Sequence, residues 1–130
     1  MVGIILITHN KIGKEMMETV QEIIKEKPNI ISLEINTQTP FKDSQKKIYE
    51  AIKSFDDKDG VILLTDLFGA TPCNLCKEYL INGKVEMITG CNLPMVIKAA
   101  TADFKDSPSQ VAQFLKNYGK DNIRVYSTDF

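Results

Sequence analysis

Two segments of the chain are almost unbroken in apolar residues: Val2-Gly3-Ile4-Ile5-Leu6-Ile7-Thr8 and Gly60-Val61-Ile62-Leu63-Leu64-Thr65-Asp66. Strands buried on both faces read this way, so both are expected at the centre of a parallel sheet. Asn29 to Ile35 and Lys84 to Gly90 alternate apolar with polar residues and are expected nearer the edges. Between the first two strands, Ile12, Met16, Val20, Ile23 and Ile24 recur at helical spacing with Lys and Glu between them, and Ile48, Ala51, Ile52 and Phe55 do the same further on. A third helix is expected at Thr71-Pro72, where a hydroxyl N-cap would precede a proline at the first helical position. Ser107-Pro108 repeats that device ahead of Val111, Ala112, Phe114 and Leu115. Leu93 to Ala102 reads as a short helix opened near Pro94, and Asn122-Ile123-Arg124-Val125-Tyr126 as a last strand.

Strands alternating with helices predict an α/β fold: a doubly wound, mainly parallel open sheet in the order 2-1-3-4, with a C-terminal edge strand and helices on both faces. The 130 residues suit one domain over 1–130, since no repeat, linker or low-complexity tract divides them. Sixteen basic and seventeen acidic residues leave a net charge of −1 without runs of one sign, which points away from nucleic acid and anionic membrane surfaces. The apolar opening has no basic flank and is far shorter than the ~20 residues of a membrane span, so a cytoplasmic protein is expected. Three cysteines, an odd number, suit reduced thiols.

The chain's one histidine, His9, stands where the first strand runs out, and Asp66 ends the third. In the order 2-1-3-4 these strands are neighbours, and the winding reverses between them. Their carboxyl ends then frame the crevice in which open α/β sheets bind ligands. A carboxylate beside an imidazole fixes the proton on one ring nitrogen and leaves the other as nucleophile or base. The loop Leu67-Phe68-Gly69-Ala70-Thr71-Pro72 adds a glycine for close backbone approach and a helix start with free N–H groups, which together suit an anion. A phosphoryl group carried on the imidazole fits this set better than hydrolysis. There is no Walker or GxGxxG loop, so no nucleotide or other cofactor is expected, and no metal. Leu67 and Phe68 are read as a partly exposed docking patch beside the crevice. Taken singly, each residue has a plainer reading: His9 as a polar loop residue, Asp66 as a turn cap, Asn92 with Pro94 as an ordinary turn.

At these residues the chain resembles the enzyme IIA component of the mannose/fructose/sorbose class of sugar phosphotransferase system. Three motifs carry the likeness in order: Thr8-His9, then Asp66 through Asn74, then Gly90-Cys91-Asn92-Leu93-Pro94. The resemblance implies that His9 is the phosphorylated residue and Asp66 its orienting carboxylate. It places Thr71 at the family's small hydroxyl position, and Gly90, Asn92 and Pro94 on its Gly-x-Asn-x-Pro motif. Thr8, Asn10, Leu67, Phe68 and Gly69 complete the expected phosphate- and partner-binding set. The implied partners are HPr as phosphoryl donor and a separate enzyme IIB as acceptor, with the membrane reached only through IIC/IID transporter components. A homodimer exchanging its C-terminal strand through Ile123, Val125 and Tyr126 is implied too. Asn10 departs from the family, which has glycine after the histidine; it is expected to alter the loop or to cap the first helix.

Three other readings remain open at this point. Cys73-Asn74-Leu75-Cys76 is a C-x-x-C pattern at a helix start, which suits redox chemistry. His9, Cys73, Cys76 and Cys91 at one sheet edge would make a Cys₃His metal set. The same fold also serves as a phosphohistidine subunit feeding a dihydroxyacetone kinase.

Overall fold

The computed structural model describes residues 1–129, with the side chains of residues 1–127. Four strands, β1 (Val2–His9), β2 (Ile31–Ile35), β3 (Gly60–Thr65) and β4 (Val85–Ile88), form a parallel sheet in the order β2-β1-β3-β4. The two apolar runs are indeed the central strands, and the alternating ones the edges. Along β1 and β3 the burial divides residue by residue. Ile4, Leu6, Ile62 and Leu64 pack into one core layer, while Ile5, Ile7, Val61 and Leu63 pack into the other. This is the period of two that a strand imposes, here apolar on both sides.

The first layer is covered by α1 (Ile12–Ile24), α4 (Leu93–Thr101) and α5 (Pro108–Asp121), through Val20, Val96, Val111 and Leu115. The second is covered by α2 (Phe41–Lys53) and the short α3 (Thr71–Cys76), through Ile48, Ala51, Leu75 and Cys76. Ile5, Leu6, Leu63, Leu64 and Leu115 are wholly buried, and truncating any of them to Ala would cost about 2–5 kcal/mol.

Ser107 caps α5 as its sequence suggests, in a full capping box with Gln110. Thr71 does not cap α3: Ala70 holds the N-cap position, Thr71 and Pro72 lie inside the first turn, and no side chain bonds the helix start. The helix begins one residue early because proline tolerates the first turn generally and not its first position alone.

α5 runs in the direction of the strands. Its first residue, Pro108, lies against Gly60 at the start of β3, and Gly119 in its last turn lies against Asn92 and Met95 at the sheet's carboxyl end. The final strand expected at Asn122 to Tyr126 is not formed. Asn122 turns, residues 123–125 are irregular, and Tyr126–Asp129 make one helical turn, α6. α5 releases the chain above the end of the sheet and not alongside an edge, so the alternating segment does not join β2 or β4. Ile123, Val125 and Tyr126 stand 74%, 61% and 82% exposed. Among the described residues no helix is long and apolar enough to cross a membrane.

Candidate active site

His9 is the last residue of β1 and Asp66 the first after β3. With Ile7 paired to Thr65 across the two strands, the side chains meet at the sheet's carboxyl end. His9 Nδ1 lies 2.9 Å from Asp66 Oδ2, and the His9 backbone N–H donates to the same oxygen at 3.1 Å. An ionised carboxylate only accepts, so the ring proton sits on Nδ1 and the lone pair on Nε2. Among the described residues Nε2 has no hydrogen-bond partner. The histidine side chain is 36% exposed and the aspartate 12%, so the carboxylate lies behind the ring and the ring faces outward. The other carboxylate oxygen, Oδ1, is buried and has no hydrogen-bond partner among the described residues.

Thr8 and Asn10 set the ring's backbone. Thr8 is wholly buried, and its Oγ1 accepts from Gly13 N at 2.8 Å, closing the first turn of α1. Gly13 is needed for that approach, since a Cβ there would lie 2.8 Å from Ser32 Oγ and 2.9 Å from Thr8 Oγ1. Asn10 does not cap α1; Lys11 holds that position, with no side-chain cap. Asn10 instead adopts φ +48°, and its N–H donates to Ile35 O at 2.8 Å. Asparagine is one of the few residues other than glycine that visits this left-handed region readily.

A cavity of about 180 Å³ opens at the ring, lined by His9, Asn10, Ile35, Asn36, Thr37 and Thr71. Asn36 and Thr37 carried no mark in the sequence; β2 brings them here because His9 and Ile35 are register partners. On the far side of β1, Gly69 has φ +76° in the loop that leads to Thr71. Leu67 and Phe68 on that loop are 58% and 79% exposed. Thr71 therefore joins His9 at the cavity, and Leu67 and Phe68 stand beside it on the surface.

Asn92 and Pro94 do not line the cavity. Asn92 Oδ1 accepts from Met95 N at 3.1 Å as the N-cap of α4, and its Nδ2 donates to Gly119 O at 2.9 Å. Its amide thus ties α4 to α5, with Pro94 in the first turn and Gly90 at φ +71° ahead of it.

The cysteines are not gathered. Cys76 packs in the α2–α3 layer and Cys91 in the opposite one, so the sheet separates them. Among the described residues no group of three or more His, Cys, Asp or Glu is placed to hold a metal ion. Burial and the neighbouring Cys73 push the Cys76 thiol up to about 12, the reverse of what a reactive thiolate needs. Burial, with the charge of Asp66 second, pushes Cys91 to about 12 as well.

Known proteins resemble this chain in sequence and in fold. Residues 3–116 match the EIIA-man family, described as PTS system fructose IIA component. The sorbose-specific EIIA component of the phosphotransferase system of Lacticaseibacillus casei is 29% identical over 113 residues, which cover 86% of this chain and 81% of that protein. The fructose-specific EIIA component of Bacillus subtilis (strain 168) is 25% identical over 99 residues, covering 75% of this chain and 68% of that one. In fold, the mannose/sorbose specific IIA subunit of the phosphotransferase system from Enterococcus faecalis superposes with a TM-score of 0.86 at 22% identity, over 95% of this chain and 93% of that one. Since the family match runs through both core layers and takes in His9, Asp66 and Thr71, the chain belongs to the EIIA-man family as a sugar-specific EIIA component of the phosphotransferase system.

Proposed function

We propose that the chain is a phosphoryl carrier in which His9 accepts a phosphoryl group from phospho-HPr and passes it to enzyme IIB. The observation that carries this reading is the pairing of His9 Nδ1 with Asp66 Oδ2 at 2.9 Å, which leaves Nε2 as the available lone pair beside the cavity. In the transfer, the Nε2 lone pair attacks the phosphorus of the donor's phosphohistidine. A P–N bond forms on His9, the donor's P–N bond breaks, and its electron pair returns to the donor imidazole. Positive charge builds on the His9 ring as the bond forms, and Asp66 offsets it from the Nδ1 side. Transfer to enzyme IIB is the same step in reverse, with His9 as leaving group. Leu67 and Phe68 form part of the surface on which both partners dock, which fits their exposure next to the ring. The protein would act in the cytoplasm and reach the membrane only through the IIC/IID transporter.

The test is phosphorylation by phospho-HPr followed by intact-mass analysis. One acid-labile, alkali-stable phosphoryl group is expected on the native chain and none on His9→Gln. Undiminished labelling of His9→Gln overturns the assignment.

The exposed Ile123, Val125 and Tyr126 support a homodimer in which the C-terminal segment takes strand form against a partner chain. A second copy would offer a strand edge along which this segment could extend, and the His9 cavities would stay open to HPr and enzyme IIB.

A further inference from the structure

The β2–α2 connection contributes a wall of the His9 cavity that the transfer step leaves unused. Asn36 opens this connection, and its Oδ1 accepts three hydrogen bonds: from Gln38 N at 3.0 Å, Thr39 N at 3.0 Å and Thr39 Oγ1 at 3.1 Å. These bonds fix which end of the carboxamide is turned into the loop. Nδ2 keeps two protons that no atom among the described residues accepts, and the Thr37 hydroxyl, on an exposed residue, is likewise uncommitted there. Both residues line the cavity with His9, Asn10 and Thr71. Their placement is rigid at its base, where Asn10 N donates to Ile35 O at 2.8 Å and β1 pairs with β2 as far as His9 and Ile35.

No lysine, arginine, aspartate or glutamate is among the residues that line this cavity. A phosphorylated side chain carries about −1.5 to −2 charge at neutral pH and three acceptor oxygens. Neutral donors hydrogen-bond these oxygens without adding the cation–anion attraction that a lysine or arginine would bring. Such a site can orient the oxygens without holding the group so firmly that it fails to leave. β2 and β3 flank β1, so the Asn36–Thr37 segment reaches His9 from the side opposite Thr71.

We propose that Asn36 Nδ2 and Thr37 Oγ1 bind the terminal oxygens of the phosphoryl group on His9 and, with Thr71 across the cavity, form a neutral cradle that keeps it transferable. The cradle deepens the carrier reading and rests on it. Asn36→Asp retains the acceptor that the loop needs but replaces the NH₂ with a carboxylate oxygen, and Thr37→Val removes only an exposed hydroxyl. Each variant is equilibrated with phospho-HPr, and the phosphorylated fraction and the phosphorus-31 resonance of the phosphohistidine are recorded. The equilibrium constant for phosphoryl uptake is expected to fall at least about tenfold in Asn36→Asp, from like-charge repulsion, and about three- to tenfold in Thr37→Val. The resonance should move in both, with unfolding midpoints unchanged. Uptake at the native equilibrium with a native resonance in both variants overturns the cradle and leaves the carrier reading standing. A native chain that takes no phosphoryl group on His9 overturns the carrier reading and the cradle with it.

Discussion

The ring Nδ1–H and the backbone N–H of His9 end on one atom, Asp66 Oδ2, at 2.9 and 3.1 Å. The residue is therefore held at two points by a single oxygen, and rotating the carboxylate would release both. Asp66 sets the ring's tautomer and the path of the chain entering the Asn10 turn together.

Replacing Asp66 with Asn keeps the shape but removes the charge that offsets a developing imidazolium. A hydrogen bond to a charged group contributes about 1.5–3 kcal/mol, so phosphoryl transfer is expected to slow roughly ten- to a hundredfold. Unfolding free energy should drop by no more than about 1–2 kcal/mol. Rapid-quench transfer from phospho-HPr measures the first and urea unfolding the second; a native transfer rate would make the carboxylate purely structural.

Asn10 occupies a left-handed backbone conformation at φ +48°. Asn10→Gly should leave stability within about 0.5 kcal/mol, whereas Asn10→Ala should lower it by about 1–2 kcal/mol, because a β-carbon without a compensating polar group is strained there. Urea titration of the two variants checks the contrast, and equal midpoints would remove the backbone explanation.

The thiols of Cys76 and Cys91 are each pushed from 9.0 to about 12, chiefly by burial. Between those values the unfolded chain sheds protons that the folded chain retains. Their contribution to stability is complete below about pH 9 and is lost as pH rises through the folded values. Unfolding free energy should thus decline from about pH 9 upward, and less steeply in a Cys76→Ala, Cys91→Ala variant. Alkylation of the native protein at pH 8 should be slow at both sites and fast in denaturant; prompt modification of either thiol in the folded chain would contradict the burial.

A chain ending at Asp121 lacks the exposed Ile123, Val125 and Tyr126. Light scattering is expected to give a dimer mass for the full chain at micromolar concentration and a monomer mass for the shortened one, with the core intact. A shortened chain that still dimerises would place the interface elsewhere.

The four sheet strands were legible because a strand buried on both faces must be apolar at every position, and the edge strands betrayed themselves by alternation. His9 and Asp66 were legible for a related reason, since each is the first ionisable group where a buried run gives out. Asn36 and Thr37 were not. They follow an edge strand in a polar stretch like many others, and only the register of β2 on β1 sets them beside His9. Asn10 was visible as an oddity, but its reason is a dihedral angle, which composition does not record. At the C-terminus the alternation was real and misleading, because a strand is a relation between two segments and α5 delivers this one past the end of the sheet.

Because α5 climbs from the start of β3 to the carboxyl end of the sheet, the chain leaves the domain on the same side as the histidine ring, while its first residue, whose amino group pairs with Asp59, stays at the other end. A fluorophore or immobilising tag added after residue 121 would crowd the reactive face and slow partner exchange. The same label on Met1 would report on the protein from behind.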